Sequence, residues 1–64
     1  MKYLLMYKVF DVPVCNGVFN SREEIDTFFK SYVGDPNKPW QIIEVKDEEF
    51  DEKFTMAING TLNI

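Results

Sequence analysis

The chain has 64 residues, of which 7 are basic and 11 acidic, for a formal net charge of −4 at pH 7. This length allows one domain over residues 1–64, and the acidity disfavours direct binding to nucleic acid or to anionic membranes. Cys15 is the single cysteine and there is no histidine, so neither an intrachain disulfide nor a usual zinc or transition-metal ligand set can form, and no cofactor is expected.

The first predicted element is a strand over residues 2–10, which is rich in aromatic and aliphatic side chains and contains no Gly or Pro. Alternation gives it two faces, one with Tyr3, Leu5, Tyr7 and Val9 and the other with Leu4, Met6, Lys8 and Phe10. A strand that is apolar on both faces is expected at the centre of its sheet. Residues 11–20 then predict a hairpin with an edge strand, because Pro13 disfavours a central strand and Asn16-Gly17 is a turn dipeptide.

The clearest signal is that of a helix from Arg22 to about Val33. Ser21 and Glu24 have the spacing of a capping box. One apolar stripe with helical spacing consists of Ile25, Phe28, Phe29 and Tyr32. Gly34 is expected to end the helix as its C′ residue, and the Asp-Pro dipeptide that follows prevents continuation.

A polar turn over residues 35–39 and a second main strand over residues 40–46 follow the helix. Residues 53–58 then alternate as a strand, with a turn at Asn59-Gly60 and a short tail. The same region also has a helical stripe, formed by Phe50, Phe54, Ala57 and Ile58, with Asp47 as N-cap and Asn59-Gly60 as C-cap. We favour the strand. The predicted class is α+β, a small antiparallel sheet of three to five strands with one amphipathic helix packed on one face.

The acidic residues concentrate in residues 44–52. Six carboxylates lie there, those of Glu44, Asp47, Glu48, Glu49, Asp51 and Glu52. Lys46 is the only cation among them, so the segment carries a net −5. The simpler interpretation is a solvated turn or helix start. The functional interpretation is a negative surface that docks on a basic partner protein, with these carboxylates as charge partners and Phe50 as an apolar anchor.

A sharper hypothesis is nucleic-acid mimicry. An extended strand rises ~3.3 Å per residue, close to the ~3.4 Å between phosphates along one DNA strand, so successive carboxylates would imitate phosphates on a DNA-binding surface. For Phe50, the simpler interpretation is a ring packed back into the core.

Neither a metal site nor a catalytic site is expected. Asp47, Glu49 and Asp51 alternate like the first ligands of a calcium loop, but Glu52 occupies the glycine position and Ile58 the position of the distal glutamate. No nucleophile is paired with a base, so an enzyme is not expected. Cys15 is interpreted as a small core residue.

In its size, its acidity and its lack of catalytic parts, the chain resembles the small early proteins that bacteriophages make to take over host machinery. The resemblance is one of type and involves no motif. It implies an inhibitor of a host protein, including a DNA-binding one. No apolar run approaches the ~18 residues of a membrane span and the start lacks the pattern of a signal peptide, so a cytoplasmic protein is expected.

The alternative function is a structural or adaptor module that forms a homodimer or joins a larger assembly, with the acid serving solubility only. A homodimer is plausible on energetic grounds, because burial in so small a domain only narrowly offsets the loss of conformational entropy. Its interface would use strand edges or the aromatic residues Tyr3, Tyr7 and Trp40.

Overall fold

The computed structural model describes residues 1–34 and 39–64. Its elements are the strands β1 (Lys2–Val9) and β2 (Val12–Phe19), helix α1 (Arg22–Lys30), strand β3 (Gln41–Val45), a 3-10 turn (Asp47–Glu49) and helix α2 (Phe50–Asn59). The strands form one antiparallel sheet in the order β2-β1-β3. The predicted α+β class and the central position of β1 are confirmed, whereas the predicted turn at residues 35–39 lies almost entirely outside the described residues.

The hairpin between β1 and β2 turns at Phe10 and Asp11, which have φ of 51° and 66°. Two consecutive left-handed residues are typical of the tight turns that match the twist of a hairpin. The predicted turn at Asn16-Gly17 is therefore wrong. Gly17 lies opposite Leu5 in the ladder, and a register shift there leaves Asn16 as the extra residue of a β-bulge. This arrangement lets β2 pair along the whole of β1.

The sheet is covered on both faces, and β1 sends alternate side chains to each. One side holds the main core cluster of Leu4, Met6, Val45, Ala57 and Leu62. α2 packs on this side. The opposite side carries Leu5, which is fully buried, and the aromatic rings that contact α1. The predicted faces of β1 are confirmed except for Phe10, which leaves the strand at the turn.

Helix α1 begins as the sequence predicts. The Ser21 hydroxyl accepts a hydrogen bond from the backbone N–H of Glu24 at 3.2 Å, and the Glu24 carboxylate accepts one from the N–H of Asn20 at 2.5 Å. The helix ends at Lys30 and not at Val33, because the N–H groups that follow bond three residues back instead of four. Gly34 is therefore not the C′ residue, contrary to prediction.

Residues 50–59 form a helix, so the favoured strand over residues 53–58 is wrong and a helix, its alternative, is right. The predicted N-cap at Asp47 is wrong, because Asp47 begins the 3-10 turn and Glu49 is the residue that precedes the helix. The helix directs Phe50, Phe54 and Ala57 to the core cluster, while Ile58 is 62% exposed. A strand would have needed Ile58 inside with Phe54. The spacing of four and three positions puts these three apolar residues on one face of the helix.

Gly60 ends α2 in a Schellman motif. Its φ is 74°, and the N–H groups of Gly60 and Thr61 donate to the carbonyls of Ala57 and Met56. Asn59-Gly60 is thus a helix cap and not a hairpin turn. A Cβ at position 60 would lie 3.3 Å from Cγ1 of Val12, so a glycine suits both the backbone and the packing.

Gly60→Ala is expected to lower the free energy of unfolding by about 1–2 kcal/mol, because an L-residue in the left-handed region is strained. Gly60→Asn should lose less, since asparagine adopts this conformation more readily. Urea unfolding of the two variants and wild type measures the difference. Alanine tolerated as well as asparagine would contradict the assignment of Gly60 as a left-handed cap.

Candidate acidic surface

Five of the six predicted carboxylates lie together where the chain enters α2. Asp47, Glu48 and Glu49 form the 3-10 turn, and Asp51 and Glu52 are in the first turn of the helix. All five are exposed. We call these five residues the acidic ridge. Helical geometry brings residues three and four apart to ~5–6 Å between Cβ atoms, so the charges share one compact surface.

The acidic ridge follows a helical path, and the extended-strand spacing proposed for phosphate mimicry is therefore wrong. Along a helix the chain rises about 1.5–2 Å per residue, roughly half the rise of a strand. Carboxylates here cannot match consecutive phosphates in a straight row. They form a cluster instead, and their negative charge stabilises α2 by its interaction with the positive N-terminal end of the helix dipole.

Glu44 lies apart from the acidic ridge. It stands opposite Tyr3 in the β1–β3 ladder, on the face that α1 covers. Its carboxylate Oε1 accepts a hydrogen bond from Arg22 Nη2 at 2.6 Å, and the Arg22 guanidinium carbon lies 5.5 Å from the centre of the Tyr3 ring. Glu44 thus ties the start of α1 to β3, and its charge is already paired.

Asp47 is also paired. The ammonium group of Met1 donates a hydrogen bond to Asp47 Oδ1 at 2.9 Å. This hydrogen bond and the positive charge of the ammonium hold the pKa of the Asp47 carboxyl below its usual range. The remaining carboxylates of the acidic ridge, those of Glu48, Glu49, Asp51 and Glu52, form no ion pair with any described residue.

Phe50 turns inward from the acidic ridge. It is half-buried, packs against the core cluster and stacks on Phe54, with ring centres 5.4 Å apart and planes 12° apart. The ring therefore connects the ridge to the core and stabilises the first turn of α2. The position agrees with the simpler interpretation of Phe50.

The aromatic residues outside the acidic ridge pack on one another. Trp40 contacts Tyr7, Phe29 and Tyr32 edge-on, with ring centres 5.0–5.5 Å apart. Such edge contacts are the arrangement that aromatic cores prefer. Trp40 therefore joins β1, α1 and the entry to β3, and the cluster is part of the fold on the α1 side of the sheet.

Two features of the surface had no clear signal in the sequence. Phe10, expected on a sheet face, is 97% exposed at the hairpin turn. Cys15, expected in the core, is half-buried and packs against the core cluster, with its Sγ 3.7 Å from the carbonyl oxygen of Gly17. Phe10 is exposed because the chain turns there with a left-handed backbone. The sequence does not predict this turn, since Phe-Asp is not a turn dipeptide of this type.

Residues 1–34 and 39–64 contain no group of three or more His, Cys, Asp or Glu side chains placed to hold a metal ion. Over the same residues, no helix has the length and apolar character needed to cross a membrane. Comparison of the chain with protein-family models, with curated proteins and with solved structures found no match.

Proposed function

We propose that this protein is a non-enzymatic binding module whose acidic ridge docks on a basic surface of a partner protein. Where that surface binds DNA, the protein inhibits the partner by occupying it. The observation that supports the proposal best is the group of four exposed carboxylates, at Glu48, Glu49, Asp51 and Glu52, with no ion pair to a described residue.

The arrangement of these charges has an energetic consequence. Like charges three or four residues apart on a helix destabilise it by a few tenths of a kcal/mol per pair. Arg and Lys side chains of a partner would remove this repulsion and add charge-assisted hydrogen bonds. Phe50 and Phe54 hold the first turns of α2 on the core, so the backbone that carries Asp51 and Glu52 is fixed before the partner arrives, which limits the entropy lost on binding.

Reversal of two ridge charges tests the proposal. Glu48→Lys/Glu52→Lys should abolish capture of the partner from a bacterial lysate, while wild type retains it at low salt and releases it as salt rises. Added duplex DNA should displace a DNA-binding partner from wild type. Quantitative mass spectrometry of the captured proteins measures both effects.

The matched control is Glu23→Lys/Asp26→Lys on α1, where both carboxylates are exposed. The two double variants change the net charge equally, and each reverses one acid in the first turn of a helix. If both variants lose the same proteins, capture depends on overall charge and not on the ridge. If neither loses any, the acid serves solubility only.

A further inference from the structure

Phe10 violates two ordinary preferences at once. Its side chain is 97% exposed, and its backbone lies in the left-handed region with φ of 51°. Exposure of a large apolar side chain and a left-handed conformation are both unfavourable for phenylalanine. The hairpin turn accounts for the left-handed backbone, but it does not account for the exposure of the ring.

An uncharged groove lies beside this turn. It has a volume of about 330 Å³ and runs between residues 12–15 of β2 and residues 57–60 at the end of α2. None of these eight residues is acidic or basic. Val12 and Ile58 supply two of its exposed apolar side chains. Gly60 keeps the groove open, because a side chain there would meet Val12.

We propose that the groove receives Phe10 of a second copy of this chain. Phe10 is separated from Val12, the first residue of the groove, by Asp11 alone, so the turn that carries the exposed ring leads directly into the groove. With a two-fold axis beside the hairpin turn, each copy inserts its Phe10 ring into the groove of the other copy. The exchange closes on itself and gives a dimer, not a filament.

Two opposite charges beside the groove suit a second copy at this surface. The net charge of −4 on each chain opposes self-association, so the contact needs local pairing of opposite charges. Lys8 and Asp11 are exposed beside the groove and form no ion pair with a described residue. Pro13, which lines the groove, stands opposite Lys8 in the ladder, so an incoming turn brings Asp11 of the other copy towards Lys8.

The dimer is independent of the proposed function. The groove lies at the C-terminal end of α2 and the acidic ridge at its N-terminal end, about 15 Å apart for a ten-residue helix. Both surfaces can be occupied together. Loss of dimerisation in a variant that still captures the basic partner, or the reverse, therefore separates the two proposals.

Sedimentation equilibrium of the full chain tests the dimer at concentrations up to about 1 mM. Wild type should form a dimer, and Phe10→Ala should weaken it by about 100-fold or more, since each dimer loses two central aromatic anchors. Val33→Ala is the matched control, because Val33 is also 97% exposed, and it should dimerise as wild type does. A monomeric wild type, or equal effects of the two substitutions, would overturn the proposal.

Two further measurements locate the contact. Lys8→Asp and Asp11→Lys should each weaken the dimer, and the double exchange should restore it if the two residues meet across the interface. Cys15 lines the groove, so its reaction with a thiol reagent should slow as wild-type concentration rises and should not slow in Phe10→Ala. Dimerisation that leaves Cys15 equally reactive at all concentrations would place the interface elsewhere.

Discussion

Replacement of Leu4 by alanine is expected to remove much of the free energy of unfolding. Leu4 is fully buried at the centre of the core cluster, opposite Ile43 in the ladder. Substitution of a buried leucine by alanine costs about 3–5 kcal/mol through lost burial and the cavity left behind. A domain of this length is stabilised by roughly 3–10 kcal/mol in total, so the variant should be partly or wholly unfolded at room temperature.

Urea unfolding followed by circular dichroism measures this loss. Val9→Ala is the control in the same strand, because Val9 is exposed at the end of β1, and it should cost less than about 1 kcal/mol. Equal losses for the two variants would contradict the packing of α2 on the Leu4 side of the sheet.

Ile25→Ala should have a comparable effect on the opposite face. Ile25 is the buried residue of α1, and a nine-residue helix is too short to persist without tertiary contacts. We expect a loss of about 2–4 kcal/mol. The near-ultraviolet circular dichroism of the aromatic cluster should weaken as α1 detaches, because Phe28 and Phe29 contact Phe19 and Trp40.

The control on the same helix is Thr27→Ala. Thr27 is exposed, and its hydroxyl donates a hydrogen bond to the Glu23 carbonyl within the helix. Alanine is the better helix former, so stability should change by no more than about 0.5 kcal/mol. An Ile25→Ala variant as stable as Thr27→Ala would mean that the rings alone hold α1 in place.

Local patterns predicted those parts of the fold that depend on short-range physics. The apolar faces of β1 and the cap at Ser21 follow from alternation and from one hydrogen bond, and both are confirmed. The position of the hairpin turn could not be predicted in this way. Asn16-Gly17 is the better turn dipeptide, but β2 pairs along the whole of β1, and this pairing places the turn at Phe10-Asp11. Residues 53–58 fit two periodicities, and only tertiary packing decides between them.

The candidate site was predicted in composition but not in geometry. Charge counting located the acid, yet the sequence carries no local signal that Arg22, 22 residues earlier, pairs with Glu44, or that Met1 pairs with Asp47. Those pairs depend on the β1–β3 ladder and on the turn that follows it. The topology of the fold therefore decides which four carboxylates have no ion pair to a described residue. A pattern of adjacent residues cannot predict this.

The strand order β2-β1-β3 also favours one order of folding. The β1–β2 hairpin closes a two-residue turn, whereas the β1–β3 ladder joins positions as distant as Lys2 and Val45. Closing the longer loop costs more chain entropy, so we expect the hairpin to form first and β3 and α2 to join later. Until then Leu4 and Met6 would face water on an incomplete sheet, and we expect the chain to be most prone to aggregate from this early species.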